Sequence, residues 1–356
     1  MHGEDNGLHG GGSVDVVDEG LSPVLTGVAP YGSANSTVRA RLLNWVDYLQ
    51  LAPVELVLGT RDPLGLAAQR RSLHHHDAPL LLLRNAAKLS RGRVESRLLR
   101  GASVGVYDID DGLPWDNGRL PGLGAWWKRP WPRSLIAARA AKAADRVIAG
   151  NQLLADWAST LCPDVVVIPT CVDPSAYQTK NSYELSDPPR LGWLGSPATE
   201  GYLQDIAASL AEVHRRTGAR LTLVSSDGST HPALAPFTDR VRWTPEVQHT
   251  FPATWDVGLM PVRDGVYERA KCAYKLLQYG AAGLPCIGSP VGMSATVLEQ
   301  FGAPGPRSSR DWVDALMGLI QSGAQHRGAL GHRARRTVQA DYSYATWATR
   351  WSSALN

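Results

Sequence analysis

The chain has 356 residues, of which 44% are hydrophobic and 19% charged. This is a globular composition longer than one core usually serves, so two domains of about 150–200 residues are expected and a minimal binding module is excluded. No apolar run approaches the roughly 20 residues of a membrane span. The net charge of +3 hides an asymmetry: residues 1–20 hold five acids (Glu4, Asp5, Asp15, Asp18, Glu19) and no Lys or Arg, leaving 28 acids against 36 bases in the rest. That start lacks both the cationic beginning and the apolar stretch of a signal peptide and reads as a disordered acidic tail on a cytoplasmic protein. The mildly basic body suits an anionic small molecule, and no zinc finger, RNP-like signature or dense basic arm points to nucleic acid. The four cysteines, Cys162, Cys171, Cys272 and Cys286, form no CxxC pair and read as reduced core residues.

In chain order, short apolar runs alternate with longer amphipathic stretches, the signature of βα units around parallel sheets. The first series has strands at Pro23–Val28, Val54–Leu58, Leu80–Leu83, Ser103–Tyr107, Arg146–Ala149 and Val165–Ile168, with helices near Ser36–Leu51, Ala86–Leu99, Ser134–Ala143 and Gln152–Leu161. The second has strands at Arg190–Trp193, Arg220–Val224, Val241–Trp243, Val257–Leu259 and Pro285–Ile287, with helices near Thr199–Thr217, Lys271–Ala282, Arg310–Gln321 and His326–Ala340. Between the series, Pro174, Pro188 and Pro189 surround a polar stretch, Asp173–Pro189, that reads as a linker. Both halves are expected to be doubly wound α/β domains, which bind ligands beyond the carboxyl ends of their strands, so the cleft between them is the expected site.

The most specific run is Glu268-Arg-Ala-Lys-Cys-Ala-Tyr-Lys-Leu-Leu-Gln-Tyr-Gly-Ala-Ala-Gly-Leu-Pro-Cys-Ile-Gly-Ser-Pro-Val-Gly292. It reads as a loop, a helix from Lys271 ending at Gly283, a short strand and a Gly-rich turn. A helix N-terminus offers free amides and a positive dipole end to a phosphate, and Lys271 and Lys275, four apart, would share one face of that helix. The competing reading is an ordinary surface helix with two solvated lysines.

This run resembles the donor-binding element of retaining glycosyltransferase family 4, of GT-B fold, in particular its bacterial members with a K-x-x-x-K-x-x-x-Y-x-A-x-G-x-P pattern. Other stretches are similar to that family in the same order: Leu191-Gly-Trp-Leu-Gly-Ser-Pro197 to the first strand and glycine loop of its nucleotide-binding domain, and Val106-Tyr-Asp-Ile-Asp-Asp-Gly112 to a first-domain segment. Val147–Asn151 and Ile168–Asp173 resemble its domain junction, and Asp341–Trp347 the final helix that crosses back. The resemblance spans about Pro23 to Trp351. It implies two Rossmann-like domains facing across a cleft: an acceptor-side domain over residues 21–173, completed by the C-terminal helix 341–356, and a nucleotide-sugar domain over 174–340. It implies donor contacts at Gly195, Ser196, Trp243, Glu246, Glu268, Ala273, Tyr274 and Gln278, and leaving-group stabilisation by Lys271 and Lys275.

The chain also departs from the pattern. The two Glu that family members place seven residues apart fall on Ala270 and Gln278, with Glu268 two residues off register, and the Arg–Lys pair that clamps the diphosphate is replaced by Ser196 and Gly201. The amide of Gln278 can still reach a ribose hydroxyl, but the diphosphate needs another cation.

Asp108-Ile-Asp110 formally matches a metal-holding DxD motif; the paired-sheet organisation favours a metal-independent site with no cofactor, in which Asp110 and Asp111 meet acceptor hydroxyls or cap the following loop. Asn35-Ser-Thr37 reads as a helix N-cap, and the resemblance also brings it toward the transferred sugar. His74-His-His76 reads as a solvated loop rather than a metal site, because consecutive side chains diverge. Trp126-Trp127-Lys-Arg-Pro-Trp131 reads as an aromatic lip for an acceptor, an interfacial membrane anchor, or packing under a loop. The Ala86–Arg100 stretch, with Lys88, Arg91, Arg93, Arg97 and Arg100 against Glu95, reads as a solvated basic face.

Together these features imply a cytoplasmic, hexosyltransferase-like retaining glycosyltransferase that moves a sugar from a nucleoside diphosphate, UDP by family frequency, to an acceptor hydroxyl, with a peripheral membrane contact left open. The alternatives are a sugar-nucleotide 2-epimerase and a non-catalytic nucleotide-sugar-binding partner protein.

Overall fold

The structure is a computed structural model that describes residues 23–59, 78–87, 90–116, 132–226, 228 and 230–356. The first sheet is built from β1 (Leu25–Val28), β2 (Val54–Val57), β3 (Leu80–Leu83), β4 (Gly105–Ile109), β5 (Arg146–Ala149) and β6 (Val165–Val167), in the order β2-β1-β3-β4-β5-β6, all parallel. The second contains β7 (Arg190–Leu194), β8 (Arg220–Ser225), β9 (Thr238–Arg242), β10 (Val257–Met260) and β11 (Cys286–Gly288), in the order β11-β10-β7-β8-β9, also parallel. Every strand expected from the apolar runs is present, with ends shifted by up to three residues.

The runs form strands because both faces of each sheet are covered, which a continuous apolar sequence such as Leu80–Leu83 satisfies. On one face of the first sheet Leu80, Leu82, Tyr107, Ile109 and Val147 pack under the helices Arg93–Gly101, Arg133–Ala143 and Gln152–Ala158. On the other, Leu25, Leu81, Leu83, Val106 and Ile148 meet Trp45 and the last helix, Tyr344–Ser353. Trp45 is fully buried, edge-on to Tyr344 at 4.7 Å and stacked on Trp351 at 5.2 Å. Aromatic truncation at such a site costs about 3–5 kcal/mol, so the last helix is part of the first domain's core. All four cysteines are buried and unpaired.

Several helices differ from expectation. Among the described residues after β3 the helix begins at Arg93, because Arg84 and Arg91 adopt positive φ. The helix expected from Lys271 begins at Tyr274, after Ala273 at φ 53°. Helices Pro245–Thr250, Val266–Arg269 and Met293–Phe301 were not expected. The Asp173–Pro189 stretch does not run free: Lys180 N–H donates to Ala282 O, Tyr183 Oη to Gly283 O and Arg327 Nε to Tyr183 O, all onto the second domain. The chain instead crosses near Val172, which bridges Ser343 on the returning segment. Among the described residues no helix is long and apolar enough to cross a membrane.

Strand order reverses between β1 and β3 in the first sheet and between β7 and β10 in the second. Crevices open where connections depart in opposite directions, beyond the carboxyl ends of those strands. Arg84 follows β3 and Gly195 follows β7.

Candidate functional site

At the second-domain crevice, β7 runs into Gly195, Ser196 and the helix Pro197–Asp205. A Cβ on Gly195 would stand 2.4 Å from the Trp193 ring and 2.7 Å from Lys275 Cε, so only glycine admits both neighbours. Lys275, in the first turn of Tyr274–Ala282, lies 5.1 Å over the Trp193 ring. Burial, reinforced by the charge of Lys271, lowers its ammonium to about 8. The two lysines are therefore neighbours, although Lys271 precedes the helix and does not share a helical face with Lys275.

Lys271 lies against the first domain. Its Nζ donates to Asp111 Oδ1 at 3.1 Å and stands 4.8 Å over the Tyr267 ring. Tyr267 Oη donates to Asp111 Oδ2 at 3.1 Å, and Arg84 pairs with Asp110 at 2.6 Å and Asp111 at 3.3 Å. Against the upward push of burial, Arg84 and Lys271 hold the Asp111 carboxyl down to about 2. Cys272 Sγ donates to Asp110 O, and Asn151 Nδ2 to Ala270 O at 2.8 Å. Gly112 completes the contact: a Cβ there would lie 2.4 Å from Tyr267 O. The Tyr267–Ala273 segment is thus docked on the loops that follow β4 and β5. Among the described residues, Arg84 and Ala273 are two of four non-glycine positions at positive φ, and both lie in this cluster.

Asp108 is separate from this cluster. It is fully buried, and both of its oxygens accept from Arg41, at 2.9 and 2.7 Å. The formal pairing of Asp108 with Asp110 therefore does not form a shared carboxylate site. Among the described residues no group of three or more His, Cys, Asp or Glu side chains is arranged to hold a metal ion.

Glu268 accepts from Tyr202 Oη at 2.9 Å on the second-domain side of the cluster. A further group of side chains surrounds Trp243, just past β9. The Arg39 guanidinium, from the first domain, lies 4.8 Å over its ring and donates to Gln248 Oε1 at 2.8 Å. Gln248 and Gln278 each donate to Tyr177 Oη at 3.3 Å. Gln278 is 3% exposed, so its amide is turned to Tyr177. Glu246 is exposed in the first turn of Pro245–Thr250. Asn35 caps its helix as expected, its Oδ1 accepting from Thr37 N and Val38 N at 3.0 and 3.3 Å.

The structure thus brings together Lys271, Lys275, Gly195, Ser196, Glu268, Ala273, Asp110 and Asp111, with Trp243, Glu246, Tyr274 and Gln278 in a second group around Arg39 and Tyr177. Trp127, with Trp126, Trp131 and His74–His76, lies outside the described residues. Arg84, Arg39, Tyr177, Tyr202 and Tyr267 are additional members. Only Arg84 carried a signal, a charge directly at the carboxyl end of the apolar run Leu80–Leu83.

No family model matches the chain, and no curated protein matches it in sequence. Solved structures resemble its fold. HepE from Anabaena, in complex with UDP and glucose, has a TM-score of 0.68 at 13% identity, over 93% of this chain and 99% of that one. WaaG, a glycosyltransferase involved in lipopolysaccharide biosynthesis, has a TM-score of 0.64 at 15% identity, over 93% and 99%. The pneumococcal O-GlcNAc transferase GtfA, in complex with UDP and GlcNAc, has a TM-score of 0.58 at 14% identity over 82% of this chain, which spans 59% of that protein's length. The two parallel-sheet domains facing across a cleft are those of the GT-B glycosyltransferase fold.

Proposed function

We propose that the chain is a retaining glycosyltransferase that moves a sugar from a UDP-sugar to an acceptor hydroxyl without a metal ion. The observation that carries this reading is Lys275, a half-buried ammonium held between Lys271 and the Gly195 loop at the crevice of the second sheet. With its ammonium lowered to about 8 by desolvation and by Lys271, it lacks a counter-charge among the described residues, and a diphosphate supplies one. As the glycosidic bond breaks, negative charge grows on the departing diphosphate, and Lys275 and Lys271 stabilise it more than the intact donor. The acceptor approaches from the first domain past Asp110 and Asp111. The leaving oxygen takes the acceptor proton on the same face, so no protein base is required. Trp243 and Glu246 flank the base, and Gln278, through Tyr177, shapes the ribose end.

The test is calorimetry of UDP, GDP, dTDP and their sugars, followed by a turnover assay with excess EDTA and determination of the product anomer. Binding of a UDP-sugar and release of UDP with retained configuration, unaffected by EDTA, is the expected result. No binding of any nucleotide sugar overturns the reading. Conversion of the donor without an acceptor into its 2-epimer, or binding without turnover on any acceptor pool, replaces it with the corresponding alternative.

A further inference from the structure

On the first domain, the helices Arg93–Gly101 and Arg133–Ala143 lie side by side and enclose a groove of about 700 Å³. Arg93, Ser96, Arg97, Arg100, Arg139 and Lys142 line it. The walls are fastened to each other: Ser96 Oγ donates to Arg139 O at 3.2 Å, and Arg139 donates to Arg91 O at 2.6 Å. The groove is therefore a built concavity rather than a chance arrangement of side chains.

Among the described residues its charge is uncompensated. The one acid of the first helix, Glu95, is buried on the opposite side, where it accepts from the amides of Ala86 and Ala87 and from Ser90. Among the described residues no carboxylate lines the groove, and Arg93, Arg97, Arg100 and Lys142 enter no ion pair. Arg93, Arg97 and Arg100 recur at four- and three-residue spacing, forming a stripe about 10 Å long on one side of the helix. Like charges at that spacing repel and weaken the helix, while its packing is supplied by Leu98 and Leu99 on the buried side. The stripe adds nothing that the fold needs.

The groove also has a direction. The chain leaves the carboxyl end of β3 at Arg84, enters the helix at Arg93 and leaves it at Gly101 before β4 begins at Gly105. Arg93 is thus at the cleft end, on the side of Arg84 and Asp110, and Arg100 is at the far end. A single phosphate is bound by donors that converge on one point, whereas these cations are strung along a line. A bilayer meets a face that mixes cations with inserting apolar side chains, whereas the described lining of this open groove includes no large apolar residue.

We propose that the groove binds a linear polyanion without nucleobases, a chain of repeating carboxylates or phosphates, as the remote part of an acceptor whose hydroxyl-bearing end reaches the cleft. The word acceptor rests on the glycosyltransferase reading; the binding itself does not.

The test uses a labelled oligogalacturonate and a short inorganic polyphosphate as probes of the full chain, with anisotropy read at low and high salt. The variants are Arg97→Glu/Arg100→Glu and, as an independent pair, Arg93→Glu/Lys142→Glu, with melting temperature and UDP calorimetry measured on each. Wild type is expected to bind at least one oligomer, more weakly as salt rises. Either folded double variant is expected to lose about tenfold or more, since each reversal removes an attraction and adds a repulsion, with UDP affinity unchanged. Unchanged oligomer affinity in a folded variant overturns the proposal. So does phosphate binding as tightly as polyphosphate, sedimentation with phosphatidylglycerol vesicles in place of oligomer binding, or a single-stranded oligonucleotide bound more tightly than both probes. If wild type fails to bind any nucleotide sugar while the oligomer results hold, the groove stands and only the proposed transfer reaction fails.

Discussion

Lys271 of the second domain donates to Asp111 of the first across 3.1 Å, so a cation facing the donor crevice is already paired across the cleft. Removing the carboxylate has two separable effects. Asp111 titrates near 2 in the fold against 3.8 when free. A depressed carboxyl stabilises the fold above its unfolded value and loses that contribution as pH falls through the folded one. Asp111→Asn is expected to lower stability at neutral pH by up to about 2 kcal/mol and to flatten the acid unfolding curve between these two values. Parallel wild-type and variant curves over that window would contradict this.

Lys275 gives the opposite pH signature. Its ammonium, lowered to about 8 by burial and Lys271, regains a normal value when a diphosphate binds, so binding takes up a proton. UDP affinity is expected to be flat at low pH and to fall as pH rises through 8. Lys275→Met should bind UDP about 30-fold or more weakly and abolish the pH dependence. Calorimetry in buffers of different ionisation enthalpy measures the proton uptake directly, and none near pH 8 would remove Lys275 from the site.

The parts of this cluster differ in how legible they were in the sequence. Gly195 and the two lysines stood in continuous runs with a local pattern, and the strands before them announced themselves by β-branched and leucine-rich stretches. The start of the helix at Tyr274 did not, because nothing in an alanine signals that Ala273 turns left-handed. Contacts between segments far apart in sequence were equally silent: Tyr177 bonding Gln248 and Gln278, or Arg39 covering Trp243, arises only when two domains are folded against each other. Short helices such as Val266–Arg269 lack the periodicity that a pattern needs.

Gly112 tests the docked state. A Cβ would meet Tyr267 O at 2.4 Å and its Cα at 2.7 Å, both backbone atoms that cannot swing aside. Gly112→Ala is expected to leave each domain folded but separate the two. Small-angle scattering should show a larger radius of gyration, and kcat/KM should fall at least tenfold because the reacting groups no longer meet. An unchanged radius with normal turnover would show that the contact yields without consequence.

Trp243 distinguishes base from diphosphate. Trp243→Ala removes the platform under Arg39 and is expected to weaken UDP and UDP-sugar alike, by about tenfold to a hundredfold if a base stacks there, with pyrophosphate inhibition unchanged. An equal loss for pyrophosphate would point to general disruption of the second domain.

The bridge between Val172 and Ser343 holds the two interdomain crossings side by side, so they are expected to flex together as one leaf rather than swivel like two separate cords. A twist that slides Gly112 past Tyr267 has first to break that bridge, whereas a swing about a line through both crossings leaves it whole. Spin-label distances that spread along more than one direction would argue against such a restriction. With the bridge intact, the cleft is expected to open and shut along a single arc, like a book on its spine, returning the same loops face to face at every closure.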